Sequence, residues 1–442
     1  MTTVHDVVGV GYGPANLALA IALDELPEPP SMLFLEAHDN PGWQREMLLD
    51  GADTQHHAVR DLVSLRNPRS RYSFINYLHE NGRLLKFLNL PAPFPLRAEY
   101  MQYIDWVRQN LPVDVRYGTR VREIVASADV AGCYDVVCED GTVHVARHVA
   151  LGPGRTPMVP ETFAPLLGDK VFHLTEYGSR IAGIFAGRPD GGAGARIAVV
   201  GGSQSAVEIA LDLSDRFPRA HTTIVTRGWS LRAKDHSPFS EEIYFPAFTE
   251  YYYRAGDEER RRLDRFTRPT NYSASDSDVL ERLYLRIYED ELMGRDRVRV
   301  VGDVDVERAV AAGDALDLEL VNRTNGDKEL LRADAVVLAT GFRDSGIRAH
   351  DERHHPLLDR VADAFLPDSS GALLTREDYS LAPRDPATGL MFLNGLCEAT
   401  HGIGDAGSFS LLSLRAEKIA GSLAGALNSA VPEAAPRSEH AA

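Results

Sequence analysis

The stretch Val7-Val8-Gly9-Val10-Gly11-Tyr12-Gly13-Pro14-Ala15-Asn16-Leu17-Ala18-Leu19 decides the fold. Its apolar opening, Val7 to Val10, reads as a short buried strand. Gly9, Gly11 and Gly13 turn the chain, and Ala15 to Ala20 carries helix formers without a breaker. A helix entered through such a turn offers backbone N–H groups and the positive end of its dipole to a pyrophosphate. The expected ligand is a dinucleotide. In a G-x-G-x-x-G fingerprint the third glycine position is Pro14 here, so the motif needs support from its context. Ser31-Met32-Leu33-Phe34-Leu35-Glu36 supplies it: a second strand ending in an acid, where a ribose 2′-hydroxyl is bound. A tight turn in an unrelated α/β sheet is the competing reading, and Glu36 weighs against it.

A chain of 442 residues is long enough for two or three domains. Its net charge of -17 argues against nucleic acid or an anionic membrane as main partner, although one buried arginine can still hold a small anion. Cys133, Cys138 and Cys397 form no C-x-x-C, which speaks against a disulfide framework, a redox dithiol or a cysteine zinc site. The chain enters its first strand almost at once, without a signal-peptide pattern, and no apolar run approaches the roughly 18 residues of a membrane span. The expectation is a cytoplasmic protein in a reducing compartment.

Further along, residues 51–68 form a segment dense in hydrogen-bonding side chains, suited to facing a ligand. Its His56-His57 pair matches no metal spacing, since neighbours diverge on any regular backbone, and no metal is expected. Aromatics at helical spacing in Ser73–Leu78 and Glu99–Val107 read as core. From Val113 to Val149 the pattern alternates as in a β-meander. Strand, small-residue turn and helix then recur at Ala195–Ala210, with Gly201, Ser203 and Ala206 at the fingerprint positions and Gln204 and Ser205 opening the helix. The following strand, Thr222–Thr226, ends in Arg227 rather than an acid. An arginine there suits a 2′-phosphate, which favours NADPH over NADH; a strand-capping arginine is the alternative. The mixed-charge run Glu258–Arg262 is a solvated helix face. Ala335-Val336-Val337-Leu338 feeds Ala339-Thr340-Gly341-Phe342.

Two fingerprints with Ala339–Phe342 after the second resemble the flavoproteins built from two dinucleotide-binding domains. Residues 9–20, Asp61–Pro68, Tyr72–Leu78, Ser237-Pro238-Phe239, Thr270–Ser273 and Thr400-His401-Gly402 narrow the resemblance to the N-hydroxylating flavin monooxygenases, the ornithine and lysine N-hydroxylases of siderophore biosynthesis. It runs in order from Asp6 to Ile419. It implies an α/β fold with two Rossmann-like domains and a small, mainly helical substrate region. The implied plan is an FAD-binding domain at 1–165 and 335–427, an NADPH-binding domain at 166–236 and 295–334, a substrate region at 237–294 and a disordered tail at 428–442. It also implies the chemistry: NADPH reduces FAD, oxygen adds to give a C4a-hydroperoxyflavin, and a neutral primary amine attacks it. A free alkylammonium has a pKa of roughly 10, so the site must desolvate the amine. A homo-oligomer, a tetramer, is implied as well.

Carried over residue by residue, Gly9, Gly11, Gly13, Pro14, Glu36, Trp43, Gln44 and Gln55 fall at FAD positions, and Gly201, Ser203, Gln204, Ser205 and Arg227 at NADPH positions. Gln55 matches a glutamine near the flavin. Asn271 matches an asparagine shared by substrate and nicotinamide cofactor, and Ser413 a serine near the substrate. Three positions depart from the family. Gln44 replaces the histidine usual after Trp43, Arg60 replaces the lysine that grips the substrate carboxylate, and Glu241 replaces an asparagine two residues after Ser-Pro-Phe. Arginine still suits a carboxylate, whereas glutamate suits an ammonium. The resemblance makes ornithine or lysine the default substrate, while the departures imply an altered substrate pocket. Aspartate oxidised towards a nitro product, and a diamine such as putrescine, stay open. Baeyer–Villiger and sulfur-oxidising relatives carry F-x-G-x-x-x-H. The nearest stretch here, Leu166–His173, starts with leucine and is one residue too long.

Overall fold

The computed structural model describes residues 3–39, 42–92, 94–186, 192–346 and 351–429. Its strands are β1 (Val4–Val10), β2 (Met32–Leu35), β3 (Asp114–Arg116), β4 (Val121–Ala126), β5 (Tyr134–Cys138), β6 (Val143–Leu151), β7 (Val171–His173), β8 (Arg196–Val200), β9 (His221–Val225), β10 (Val298–Val301), β11 (Val304–Ala312), β12 (Ala315–Asn322), β13 (Lys328–Ala333), β14 (Ala335–Leu338) and β15 (Met391–Leu393).

Val7 to Val10 of β1 are buried, as expected of a strand covered on both faces. β1 lies parallel between β2 and β6, with Val10 opposite both Leu35 and Leu151. The first sheet runs β3-β2-β1-β6-β5-β4, with β15 also on β6. The expected meander is β4 to β6, which are antiparallel; β3 instead lies parallel to β2 at the edge. Helix Pro14–Asp24 is buried from Asn16 to Leu23 and packs along helix Leu412–Ser429. The aromatics Phe74, Tyr77, Tyr100 and Tyr103 join the same core. The buried Asp61 carboxylate organises the loop before them by accepting the N–H groups of Val63, Ser64 and Phe74.

The second sheet, β10-β9-β8-β14-β7, is wholly parallel, and a separate antiparallel sheet β11-β12-β13 packs beside it. Three expected boundaries need correction. The return to the first domain does not begin at residue 335: β14 pairs with β8 and β7, and β15 is the strand that rejoins the first sheet. Nor does residue range 237–294 stand apart as a unit. Helix Ser277–Leu292 lays Leu283, flanked by Val279, Leu280 and Ile287, on Val207, Ala210 and Leu211 of the second sheet's own helix. The tail expected at 428–442 begins inside helix Leu412–Ser429, and residues 430–442 lie outside the described ones. Among the described residues no helix is long and apolar enough to cross a membrane.

Candidate cofactor and substrate site

Both glycine turns sit at the carboxyl ends of parallel strands, where open α/β sheets bind ligands. In the first, the Gly11 N–H donates to Leu35 O at 2.8 Å. Gly11 has φ +80°, and a Cβ there would lie 2.5 Å from the Gly152 carbonyl oxygen. Around Gly13, by contrast, a Cβ would meet nothing within 4 Å, so the N-terminus of helix Pro14–Asp24 faces open space. Pro14 occupies the first turn of that helix, where no N–H is needed. The Glu36 carboxylate is buried. It accepts from Tyr12 N at 2.9 Å, His38 N at 3.0 Å and the His38 ring at 2.8 Å. Burial pushes its pKa up, but these bonds prevail and hold it below the usual carboxylate value.

Beneath the turn runs a buried polar chain that sequence reasoning did not find. Asn16 Nδ2 reaches the carbonyls of Val10, Gly11 and Ala150, and Asn394 Nδ2 donates to Asn16 Oδ1 at 2.9 Å. Arg415 donates to Asn394 Oδ1 at 3.0 Å and to Asp405 Oδ1 at 2.8 Å, and the Tyr379 hydroxyl donates to Asp405.

In the second turn a Cβ on Gly201 would meet Ala339 O at 2.3 Å, and one on Gly202 would meet Thr226 Oγ1 at 2.2 Å. Ser203 caps helix Gln204–Arg216 with extended backbone. Arg227 is exposed and makes no ion pair among the described residues. With Arg232, Arg268, Arg323 and Arg343 it lines a groove of about 870 Å³ that includes Gly201–Ser203.

A central cavity of about 680 Å³ joins the two halves, and it shares Arg155, Ser203, Tyr272 and Phe342 with the groove. Trp43, Gln44, Gln55, Arg60, Ser203, Gln204, Ser205, Glu241 and Asn271 all line it, although Gln55 and Asn271 are 216 positions apart in sequence. His38 lines it too, so the cavity opens from the acid end of the first turn. Trp43, His56 and Phe409 build its aromatic wall. His56 is a buried ring, with burial lowering its pKa to about 4. Gln44 and Gln55 hold φ of +48° and +58°. For non-glycine residues such backbone persists only where its surroundings enforce it. Asp53 does part of this by accepting the Gln55 N–H at 2.9 Å. Burial, aided by Asp276, Asp278 and Glu208, raises the Asp53 pKa to about 6 against that hydrogen bond.

A charged chain crosses the cavity. Lys234 Nζ donates to Gln55 Oε1 at 2.6 Å and lies 3.3 Å from Asp276 Oδ1. His236 bonds Asp276 at 2.9 Å and stands 3.5 Å from Glu241. Glu241 Oε2 lies 3.6 Å from Arg60 Nη1, which donates to Ser410 Oγ at 3.2 Å. Ser413 is not part of the cavity lining. Its hydroxyl is buried in the first turn of helix Leu412–Ser429 without a hydrogen-bond partner among the described residues, and Ser408 and Ser410 line the cavity instead. Lys234, His236 and Asp276 were missed from sequence. For Lys234 and His236 the local signal was the charged run Lys234-Asp235-His236 just before Ser237-Pro238-Phe239. At the junction with the groove, Arg155 donates to Tyr272 Oη at 2.7 Å and Asp344 Oδ1 at 3.1 Å, and the Tyr272 hydroxyl donates to Glu398 at 2.6 Å. Burial, with Asp344 nearby, pushes the Glu398 carboxyl upward.

A family model described as L-lysine 6-monooxygenase/L-ornithine 5-monooxygenase matches residues 3–344. The chain belongs to this family. An L-ornithine N(5)-monooxygenase of Pseudomonas aeruginosa is 36% identical over 432 residues, covering 95% of this chain and 94% of the relative. The fold matches the Kutzneria sp. 744 ornithine N-hydroxylase, solved with reduced FAD, NADP+ and L-ornithine, with TM-score 0.88, 30% identity and coverage of 96% of this chain and 100% of that one. It also matches the L-lysine 6-monooxygenase of Pseudomonas syringae, with TM-score 0.83, 33% identity and the same coverage. As a member of the family the chain is a flavin-dependent monooxygenase, an oxidoreductase with the α/β, Rossmann-like fold of these relatives.

Proposed function

We propose that this chain binds FAD at the first turn and NADPH at the second, and uses O2 to hydroxylate the ω-amine of ornithine or lysine. The observation that carries the substrate reading is the Arg60–Glu241 pair, one cation and one anion 3.6 Å apart on the cavity wall. An α-amino acid head group complements both, with its carboxylate on Arg60 and its α-ammonium on Glu241. Aspartate would set a second carboxylate against Glu241, and a diamine would leave Arg60 unanswered.

The residues fit both cofactors. Open space at Gly13 and the helix N-terminus behind it suit a pyrophosphate, Glu36 suits a ribose, and the cavity continuing past His38 has room for a ring system. Arg227 and its arginine neighbours suit a 2′-phosphate, and Ser203, Gln204 and Ser205 lie where the groove meets the cavity. Bound there, FAD supplies hydride acceptance and oxygen activation, chemistry no side chain has. The chain's own groups do the rest. Trp43, His56 and Phe409 exclude water, which favours the neutral amine. Gln55 and Asn271 offer amide donors, and Arg60 and Glu241 fix the far end of the substrate. Overall, amine, O2, NADPH and a proton give hydroxylamine, NADP+ and water. An N-hydroxyamino acid, once acylated, gives the hydroxamate used in iron-chelating siderophores, which is the biosynthetic role we propose.

The test is hydroxylamine formation per NADPH consumed with ornithine, lysine, aspartate and putrescine at saturation. Product from ornithine or lysine is expected. Product from aspartate or putrescine alone overturns the head-group assignment, and no product from any of the four overturns N-hydroxylation.

A further inference from the structure

Lys234 has no task in the reaction as proposed, yet its ammonium is buried at the cavity wall, with its side chain 3% exposed. Taking an ammonium out of water is costly unless partners replace the solvent. Asp276 neutralises it at 3.3 Å, but the shorter contact, 2.6 Å, is to Gln55 Oε1.

That contact settles an orientation. The two faces of a glutamine amide are nearly the same shape, so hydrogen-bond partners decide which end is oxygen. An ammonium only donates, so the atom facing Lys234 must be the oxygen. The Gln55 nitrogen is then turned away from Lys234 and has no protein partner among the described residues. The rest of Gln55 is equally constrained, since Asp53 takes its N–H and its backbone is held at φ +58°. Lys234 is itself anchored: its N–H donates to Ser275 O at 2.9 Å, and Asp276 N–H donates to Gln204 Oε1 at 2.8 Å in the helix that opens the second turn.

We infer that Lys234 is a positioning residue, fixing the Gln55 amide with its oxygen outward and its nitrogen as a donor into the reacting end of the cavity. The inference rests on the reading of Gln55 as a flavin-side donor. Without the ammonium the amide turns freely, and half of its orientations present an oxygen where a donor is needed.

The test compares FAD-loaded wild type, Lys234→Met, Lys234→Arg, Gln55→Ala and the Lys234→Met/Gln55→Ala double variant. It reads hydroxylamine per NADPH, hydrogen peroxide, and the KM for the amine. A misplaced donor costs roughly 10- to 100-fold in coupled turnover. Lys234→Met is expected to show that loss as peroxide, with the amine KM little changed and Lys234→Arg recovering part of the yield. In the Gln55→Ala background Lys234→Met is expected to cost nothing more. Lys234→Met/Asp276→Asn leaves no buried carboxylate unpaired and is expected to show the same loss, which separates positioning from failure to fold. Wild-type coupling in Lys234→Met, or a full additional loss on top of Gln55→Ala, overturns the role of Lys234. Wild-type coupling in Gln55→Ala overturns the reading of Gln55 on which it rests.

Discussion

The two glycine turns share strand, turn and helix, but the acid that follows the first is buried under hydrogen bonds and the arginine that follows the second is exposed. At the first, Glu36 is buried under three donors, Asn16 is tied through Asn394 and Arg415 to Asp405, and Gly11 packs on the backbone of Gly152. At the second, Arg227 lies exposed, without an ion pair among the described residues, on the rim of a groove of about 870 Å³. Such a pre-assembled, hydrogen-bonded seat suits a ligand that stays. A solvent-facing rim of cations suits one that arrives, reacts and leaves, because exposed charges steer encounter more than they hold. The difference matches a resident flavin nucleotide and an exchanging NADPH.

The largest effect that can break this contrast lies at Gly11. Alanine there adds left-handed strain and a backbone clash, together roughly 2–5 kcal/mol, so Gly11→Ala should lower the melting temperature and lose FAD together. Gly13→Ala meets no protein atom and has φ −73°. It should keep the melting temperature yet lower FAD content, because the added methyl occupies the space left for the pyrophosphate. Equal behaviour of the two variants would undo the distinction between packing and ligand space.

Next in size is Arg227→Ala. Hydrogen bonds to charged groups contribute about 1.5–3 kcal/mol, so kcat/KM for NADPH should fall roughly 10- to 100-fold while that for NADH and the FAD content hold. A parallel loss with NADH would mean that Arg227 only caps its strand.

The smallest effect is one of pH. Burial opposes ionisation of Glu36, but the Tyr12 and His38 hydrogen bonds hold its folded-state pKa below the ordinary value. Its contribution is therefore complete above the unfolded value of about 4.3 and is lost as pH falls through the lower folded value. FAD retention should show an acid limb below about pH 4, and Glu36→Gln should abolish it.

Much of this contrast was legible in the sequence, because each turn is a local motif: Gly9 to Pro14 with Glu36, and Gly201 to Ser205 with Arg227. Arg60 and Glu241 were flagged as departures, but only the fold shows them 3.6 Å apart. Other features have no local signal. The run Ala335–Leu338 is apolar throughout and suits the parallel part of either large sheet, so nothing in its pattern says that it pairs with β7 and β8. Lys234 meets Gln55 from 179 positions away, a contact made by the packing of the two halves. Ser410 precedes helix Leu412–Ser429 and Ser413 lies in its first turn, and the chain's entry into that helix decides that Ser410 reaches the cavity.

The account is tested most directly by adding stoichiometric NADPH to the purified protein without oxygen and following the flavin's visible absorbance. The prediction is a yellow, FAD-loaded protein that bleaches with NADPH and far more slowly with NADH. A protein that carries no flavin, or a flavin that NADPH leaves coloured, would contradict it.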